Sequence, residues 1–170
     1  MSATLTWIVV TLVGAVIVHI GLVRAFPYIV MFVVGRVFKG PTNEMIHMPP
    51  TTAESRAVVR PSPDLLYSAI IYDVRDGPLR IDAVVPDTYW SISFFANNTD
   101  NYFVANDRAL GTGPVSFVLA ARGTKPGTDD ARLVEAQSKR GVVLLRALVR
   151  DPESIGELIA IQEQARCAPL

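Results

Sequence analysis

Carboxylates are the most plentiful reactive side chains of the chain's middle third. Asp64, Asp73, Asp76, Asp82, Asp87, Asp100 and Asp107 are interleaved there with Tyr67, Tyr72, Tyr89, Trp90, Phe94, Phe95, Tyr102 and Phe103. Two chemistries suit such a set. If Asp64, Tyr67, Asp73 and Asp100 converge on one concave pocket, they would form a small-molecule or hydrolytic site of carboxylates and tyrosines. Asn97, Asp100 and Asn101, close together on one loop, could offer oxygens to a calcium ion. The competing reading of that loop is Asx side chains closing a tight turn.

Other chemistries lack their residues. Nucleophilic catalysis needs a base beside a hydroxyl or thiol, and the only histidines are His19 and His47. A Ser, His, Asp arrangement would need His47 to fold back onto the domain. Zinc coordination fails for want of ligands, since Cys167 is the sole cysteine, and no Gly-rich loop with a lysine joins a strand to a helix. No catalytic residue, metal or cofactor is expected. Alternation sends Trp90, Phe94 and Tyr67 toward a core. It leaves Tyr89, Tyr102 and Phe103, beside Arg60 and Arg108, to line a cleft or a protein interface.

These residues sit on elements that the pattern predicts to be strands. Residues 65–72 (LLYSAIIY) read as a strand buried on both faces, and residues 73–78 (DVRDGP) as a turn. Leu79, Ile81, Ala83 and Val85 alternate with Arg80, Asp82 and Val84, as in a strand with one wet face. Residues 89–95 (YWSISFF) follow, and the three strands are expected to form an antiparallel meander. Residues 101–104, 115–121 and 142–149 are further strands, and 123–130 a surface loop. Asp151, Pro152 and Glu153 announce a final helix with a stripe of Ile155, Leu158, Ile159 and Ala165. Residues 40–59 read as a linker, with a short helix near 52–57 capped by Thr51 or Thr52.

At the amino end, Leu5 to Val23 is nineteen residues without a formal charge. As a helix it would cover about 28 Å, close to the ~30 Å hydrocarbon core of a bilayer. A cleaved signal peptide would carry a basic leader and a small-residue cleavage site, whereas MSAT has neither Lys nor Arg. Residues 1–39 are therefore expected to be a transmembrane helix plus an interfacial segment. Pro27 ends or kinks the helix there, or a tilted extension continues through it. Trp7, His19, Arg24, Pro27, Arg36 and Lys39 are the expected membrane-contacting residues, the basic ones reaching headgroups. His19, near one end of the span, suits a neutral interfacial or helix-contact role.

Charge is balanced over the chain but not along it. Residues 1–40 hold three basic and no acidic side chains, leaving 13 basic and 16 acidic beyond, a net of −3. That excess excludes a nucleic-acid footprint. Arg24, Arg36 and Lys39 would keep the domain in the cytoplasm by the positive-inside rule, although long domains often cross regardless.

Residues 60–111 resemble the family called domain of unknown function 1254. The resemblance is carried by Asp64, Tyr67 and Ser68 at the first apolar run and by the Asp73, Gly77, Pro78 turn. It continues with the Pro86 to Tyr89, Trp90 step, and with Asn97, Asn98, Thr99, Asp100 and Asn101 followed by Phe103. Arg146 in an apolar strand and Gln162 near the chain end fit its closing element. The resemblance implies a compact β-sandwich-like domain; with the span and the final helix read above, the expected fold is mainly β, an antiparallel β-sandwich-like domain over residues 60–170 with an N-terminal transmembrane helix and a C-terminal helix. It further implies bacterial proteins exported to or anchored in the envelope, with a second β-rich domain in longer relatives. Where the family often ends its third strand in Asp, this chain has Ala96. The expected function is a non-enzymatic, single-pass inner-membrane subunit with a periplasmic domain. Its expected partners are the lipid bilayer and another membrane protein, one that carries the second domain.

Alkaline carbonate should therefore leave the full-length chain with membrane vesicles, and deletion of residues 3–37 should release it. A full-length chain recovered in the supernatant would remove the membrane span.

Overall fold

Leu79, Ile81, Ala83 and Val85 are all buried, and the residues between them are half-buried, so the period-two pattern does set a strand. The computed structural model describes residues 2–38, 40–52, 54–56, 60–124 and 130–170. In chain order they form helix α1 (Ala3–Val37) and strands β1 (Met45–His47), β2 (Leu65–Asp73), β3 (Leu79–Val85), β4 (Trp90–Ala96) and β5 (Asn101–Asn106). Helix α2 (Asp107–Leu110), β6 (Gly113–Ala121), β7 (Arg132–Ala136), β8 (Arg140–Leu148), α3 (Ile155–Gln162) and β9 (Arg166–Pro169) complete it.

The strands make two sheets, one of five in the order β1-β2-β8-β4-β5 and one of four in the order β7-β6-β3-β9. The fold is mainly β, with a long apolar amino-terminal helix and a short carboxyl-terminal one. Inward side chains from both sheets share one core: Ile70, Tyr72, Ile92, Phe94, Val143 and Leu145 from the larger, Ile81, Phe117 and Leu119 from the smaller. Phe94 is its aromatic hub, with the Phe103 ring edge-on at 5.4 Å and the Phe117 ring tilted at 6.0 Å.

Several expectations are corrected. The three first strands are not a meander: β3 belongs to the four-stranded sheet, and β2 and β4 are separated by β8, which pairs antiparallel with both. Each strand's own pattern was sound, but an apolar face finds its partner through the core, and β8 supplies the two-sided ladder that β3 cannot. The linker is not featureless, since β1 pairs with β2 in the register Met45 to Ile70. Among the described residues no helix forms at 52–57. Thr52 and Ser55 exchange hydrogen bonds in a turn, and Ala53 and Ala57 lie outside the described residues. The loop expected at 123–130 falls mostly on residues 125–129, also outside them. Pro27 does not end α1, which continues through it to Val37. The final helix opens with a 3-10 turn at Pro152–Ser154, and Asp151 makes no side-chain cap. Ala165 lies beyond it yet is buried.

Helix α1 buries none of its residues and has a mean hydropathy of 2.3 over its most apolar stretch. It is long and apolar enough to cross a membrane.

Gly141 sits where β8 passes closest to β4, and a Cβ there would run into the Phe95 carbonyl oxygen and the Tyr72 hydroxyl. Truncating the hub, Phe94→Ala, should cost about 3–5 kcal/mol in denaturant unfolding of the purified chain. Gly141→Ala should also destabilise it, while Arg132→Ala at an exposed edge should change little.

Candidate functional site

Asp73 ends β2, and its side chain is 8% exposed. The Arg75 guanidinium donates to it from Nη2 at 2.7 Å, and Arg140 at the start of β8 donates from Nε at 2.7 Å. The hydrogen bonds from Arg75 first, opposed by burial and assisted by Arg140, hold this carboxyl well below the usual carboxylate range. The Asp73 backbone is clamped as well: its N–H donates to Asn43 Oδ1 at 2.6 Å, and its carbonyl accepts from Asn43 Nδ2 at 2.9 Å. An ion so firmly held by two cations is a fastener of the β2–β8 end and a poor proton shuttle.

His47 does fold back, by way of β1, and Ser68 Oγ lies 3.0 Å from its Nδ1. Ser68 is nevertheless buried, and its oxygen already accepts from Gln162 Nε2 at 2.6 Å. Burial lowers the His47 pKa, and Arg166 lowers it further, against smaller raising effects from Glu163 and the Ala165 backbone. Gln162 to Ser68 to neutral His47 is then a consistent chain of donors, a clasp tying α3 to the β1–β2 edge. It lacks an exposed nucleophile. The cavity beneath α3, lined by Ser68, Trp90, Leu158 and Gln162, holds only about 20 Å³, room for a single water.

The remaining predicted residues scatter. Asp64 is exposed just before β2, and Tyr67 is a few residues on, its hydroxyl accepting from the Ser62 N–H. Tyr67 and Asp73 are six residues apart along β2, about 20 Å, so the carboxylates and tyrosines do not share one pocket. Asp100 lies in the β4–β5 turn, where its N–H donates to Asn98 Oδ1 and its carboxylate accepts from Asn98 Nδ2 at 2.6 Å. Thr99 takes a positive φ of 71° there. Asn97 and Asn101 are exposed, with the Asn97 N–H donating to Ser138 Oγ. The loop thus behaves as an Asx-closed turn, and among the described residues no group of His, Cys, Asp and Glu could hold a metal.

Trp90 is buried in the core, its backbone N–H donating to Asp107 Oδ1. Tyr89 is half-exposed, its hydroxyl donating to Ser91 Oγ. Arg60 and Arg108 are exposed, and Arg108 projects from α2. Neither lines the opening where Tyr102 and Phe103 lie; Arg122 and Glu135 do, in a space of about 540 Å³ at the β5–β7 mouth. The Tyr102 hydroxyl donates to that of Tyr72, which donates to the Phe95 carbonyl. Burial, then the bond to Tyr72, drives the Tyr102 pKa far up and keeps it protonated. Burial, then the Glu44 carboxylate, pushes the Cys167 thiol up to about 12, leaving it inert.

The unusual surface is the outward face of the five-stranded sheet. The outward face of the other sheet is wet and charge-compensated: Arg80 pairs with Asp82 and Asp130, both at 3.0 Å. On the larger sheet the outward positions are Tyr67, Ala69 and Ile71 of β2, Val142, Leu144, Arg146 and Leu148 of β8, and Ser91, Ser93 and Phe95 of β4. Apolar side chains predominate; Ala69, Ser91, Ser93 and Val142 are themselves buried, and Tyr89 and Val104 are exposed beside them. At the centre, between Tyr67 and Ser91 in the ladder, stands Arg146. Among the described residues it has no ion pair. Its one hydrogen bond runs from Nη2 to Ser93 Oγ at 3.4 Å, and its buried Nε has no partner.

The family profile described as "Protein of unknown function (DUF1254)" matches residues 42–169, most of the chain. The chain belongs to the DUF1254 family. Among solved structures it is similar to the VPA0106 protein from Vibrio parahaemolyticus, at 16% identity and a TM-score of 0.62. That match covers 88% of this chain and 38% of the Vibrio protein. A putative uncharacterized protein from Burkholderia cenocepacia matches at 21% identity and a TM-score of 0.46, over 62% of this chain and 32% of its own. The likeness to VPA0106 is one of fold. No curated protein matches.

In this DUF1254 chain sequence reasoning named Ser68, Gln162 and Arg146 only as carriers of the resemblance and missed what two features built from them do. The clasp left only the isolated His47 as a signal, because its partner is 21 residues away and Gln162 a further 94 beyond Ser68. Arg146 had a better one: a single cation inside the apolar run VVLLRALV.

The clasp predicts a pH response. The folded His47 pKa lies below its unfolded value near 6.5, so the unfolded chain binds more protons as acid is added, and stability falls as pH drops through about 6.5. Thermal unfolding of the wild type should show that loss between about pH 7 and 5. His47→Gln should flatten it while lowering stability near pH 7.

Proposed function

We propose that this chain is a non-enzymatic, membrane-anchored envelope subunit whose β-sandwich binds a second membrane protein through the outward face of the five-stranded sheet. The observation that supports this most is Arg146: a guanidinium with no ion pair among the described residues and an unpartnered Nε, set among apolar side chains on an outward face that would be mostly polar if water were its only neighbour. The occupant that suits it presents a carboxylate to Arg146 and apolar side chains to Tyr89, Leu144 and Val104. Charge complementarity of this kind fixes register, and the surrounding apolar rim supplies area.

The anchor is α1, long enough to cross a bilayer and without a buried residue. Its support as a retained span rather than a cleaved leader is its length: the apolar run resumes after Arg24 through Val34, far beyond the about 7–15 residues of a leader's apolar core. We read the domain as periplasmic and the chain as single-pass in a bacterial inner membrane; the family resemblance supports this reading, and the charges at Arg24 and Arg36 count against it. The partner we favour carries the β-rich second domain of longer relatives. The chain spans only 38% of the length of the similar Vibrio protein.

Photo-crosslinkers placed at Val104 or Tyr89 of the full-length protein in membranes should capture one membrane protein, and a crosslinker at Ser116 on the other sheet should not. Arg146→Glu should cut the capture about thirtyfold or more, the effect of removing one partner from a desolvated charge pair. Equal capture from both faces, a partner that is another copy of this chain, or a strict monomer in mild detergent would overturn the reading.

A further inference from the structure

Where the last turns of α1 pass the end of the five-stranded sheet, a cleft of about 400 Å³ opens between them. The helix contributes Tyr28, Phe32 and Arg36, and the sheet end contributes Asn97, Arg140 and Val142. We propose that this cleft binds the phosphate of an anionic phospholipid, an inference that rests on the anchored reading of α1.

Depth comes first. Trp7 and Tyr28 are 21 residues apart in one unbroken helix. That is about 32 Å, the separation of two aromatic belts around a ~30 Å hydrocarbon core. Arg36 lies eight residues, about 12 Å, beyond Tyr28, and its guanidinium reaches back over Phe32, about 6 Å past the second belt and within the headgroup layer. Arg24 is one turn inside that belt, near enough to snorkel outward.

Charge comes second. Arg36 has no ion pair among the described residues; its guanidinium rests over the Phe32 ring, 4.7 Å from the centroid. Across the cleft, Arg140 is 64% exposed while touching Asp73 through Nε. Asp73 supplies one negative charge to both Arg75 and Arg140. Asp76 lies beside Arg75. Those two carboxylates and two guanidiniums balance, so Arg36 carries the net positive charge of the cleft, while Arg140 adds the exposed part of its guanidinium and Asn97 its amide, a donor set that fits a phosphodiester. The lipid source is favoured over a soluble phosphate because the same helix exposes Phe26 and Ile29 at the second belt and Phe32 and Val33 a turn beyond it, apolar side chains that the headgroup and acyl boundary of a lipid would cover.

The test reconstitutes the full-length chain in nanodiscs of phosphatidylcholine alone or mixed with phosphatidylglycerol. Amide exchange at residues 140–142 and thermal unfolding are then measured. Phosphatidylglycerol should slow exchange there and raise the unfolding temperature. Arg36→Gln should weaken lipid binding about fivefold, the effect of one surface arginine, and Arg122→Gln at the far mouth should not. Arg140→Gln risks loosening the Asp73 clamp, so Arg36→Gln carries the decision. Equal exchange in both lipids, or equal protection by inorganic phosphate in phosphatidylcholine discs, would overturn the site while leaving the anchor intact. Failure to enter nanodiscs would overturn both.

Discussion

Strand β8 carries a hydrogen-bonded ladder on each side, pairing from Arg140 to Leu148 with β2 and from Gly141 to Ala147 with β4. Remove it and the five-stranded sheet falls into two fragments. One is β1 with β2, the other β4 with β5, and neither is wide enough to hold a core against the second sheet. The pairing joins residues far apart in sequence, Leu65 with Leu148 at the widest. Its entropy cost is met only when Ile70, Phe94, Val143 and Leu145 are buried together. Gly141 belongs to the same constraint, since the crossing beside Phe95 and Tyr72 leaves no room for a side chain.

Around that ladder the polar groups divide into those that fasten and those left over. Asp73 closes one end of β2 on β8, and the Gln162, Ser68 and His47 chain fixes α3 over the other. On the smaller sheet Arg80 finds two carboxylates and Ser116 completes the set at 2.5 Å from Asp82. Among the described residues Arg146 and Arg36 have no such carboxylate, one in the middle of an apolar face and the other at the end of an apolar helix. For Arg146, whose Nε is buried, that position carries a desolvation cost, and an outside anion is the ordinary way to offset it.

Much of the local structure was legible. The alternation at Leu79 to Val85 needs no tertiary information, because half-burial imposes period two wherever the strand lies. The choice of strand over helix for VVLLRALV rested on the preceding Gly141 and the following Asp151 and Pro152, and β8 bears it out. The Asx reading of the Asn97 to Asn101 turn agrees with the hydrogen bonds of Asn98. The short edge strands were not legible. β7 is RLVEA and pairs parallel to β6, and β9 is RCAP at the carboxyl end. Each takes its conformation from the neighbour it joins. β1, hidden in a stretch rich in Pro and Thr, is another such strand.

Composition and periodicity by themselves determined a mainly β domain behind a long apolar helix, and the scarcity of histidine and cysteine that leaves little room for nucleophilic or zinc chemistry. Those properties belong to each segment's own side chains and to their preference for water or oil. Sheet membership, the scattering of the candidate carboxylates, the burial of Ser68 beside His47 and the isolation of Arg146 were decided only by tertiary structure. Each depends on which distant strand lies alongside, and a pattern of period two specifies that a face must be covered without specifying by what.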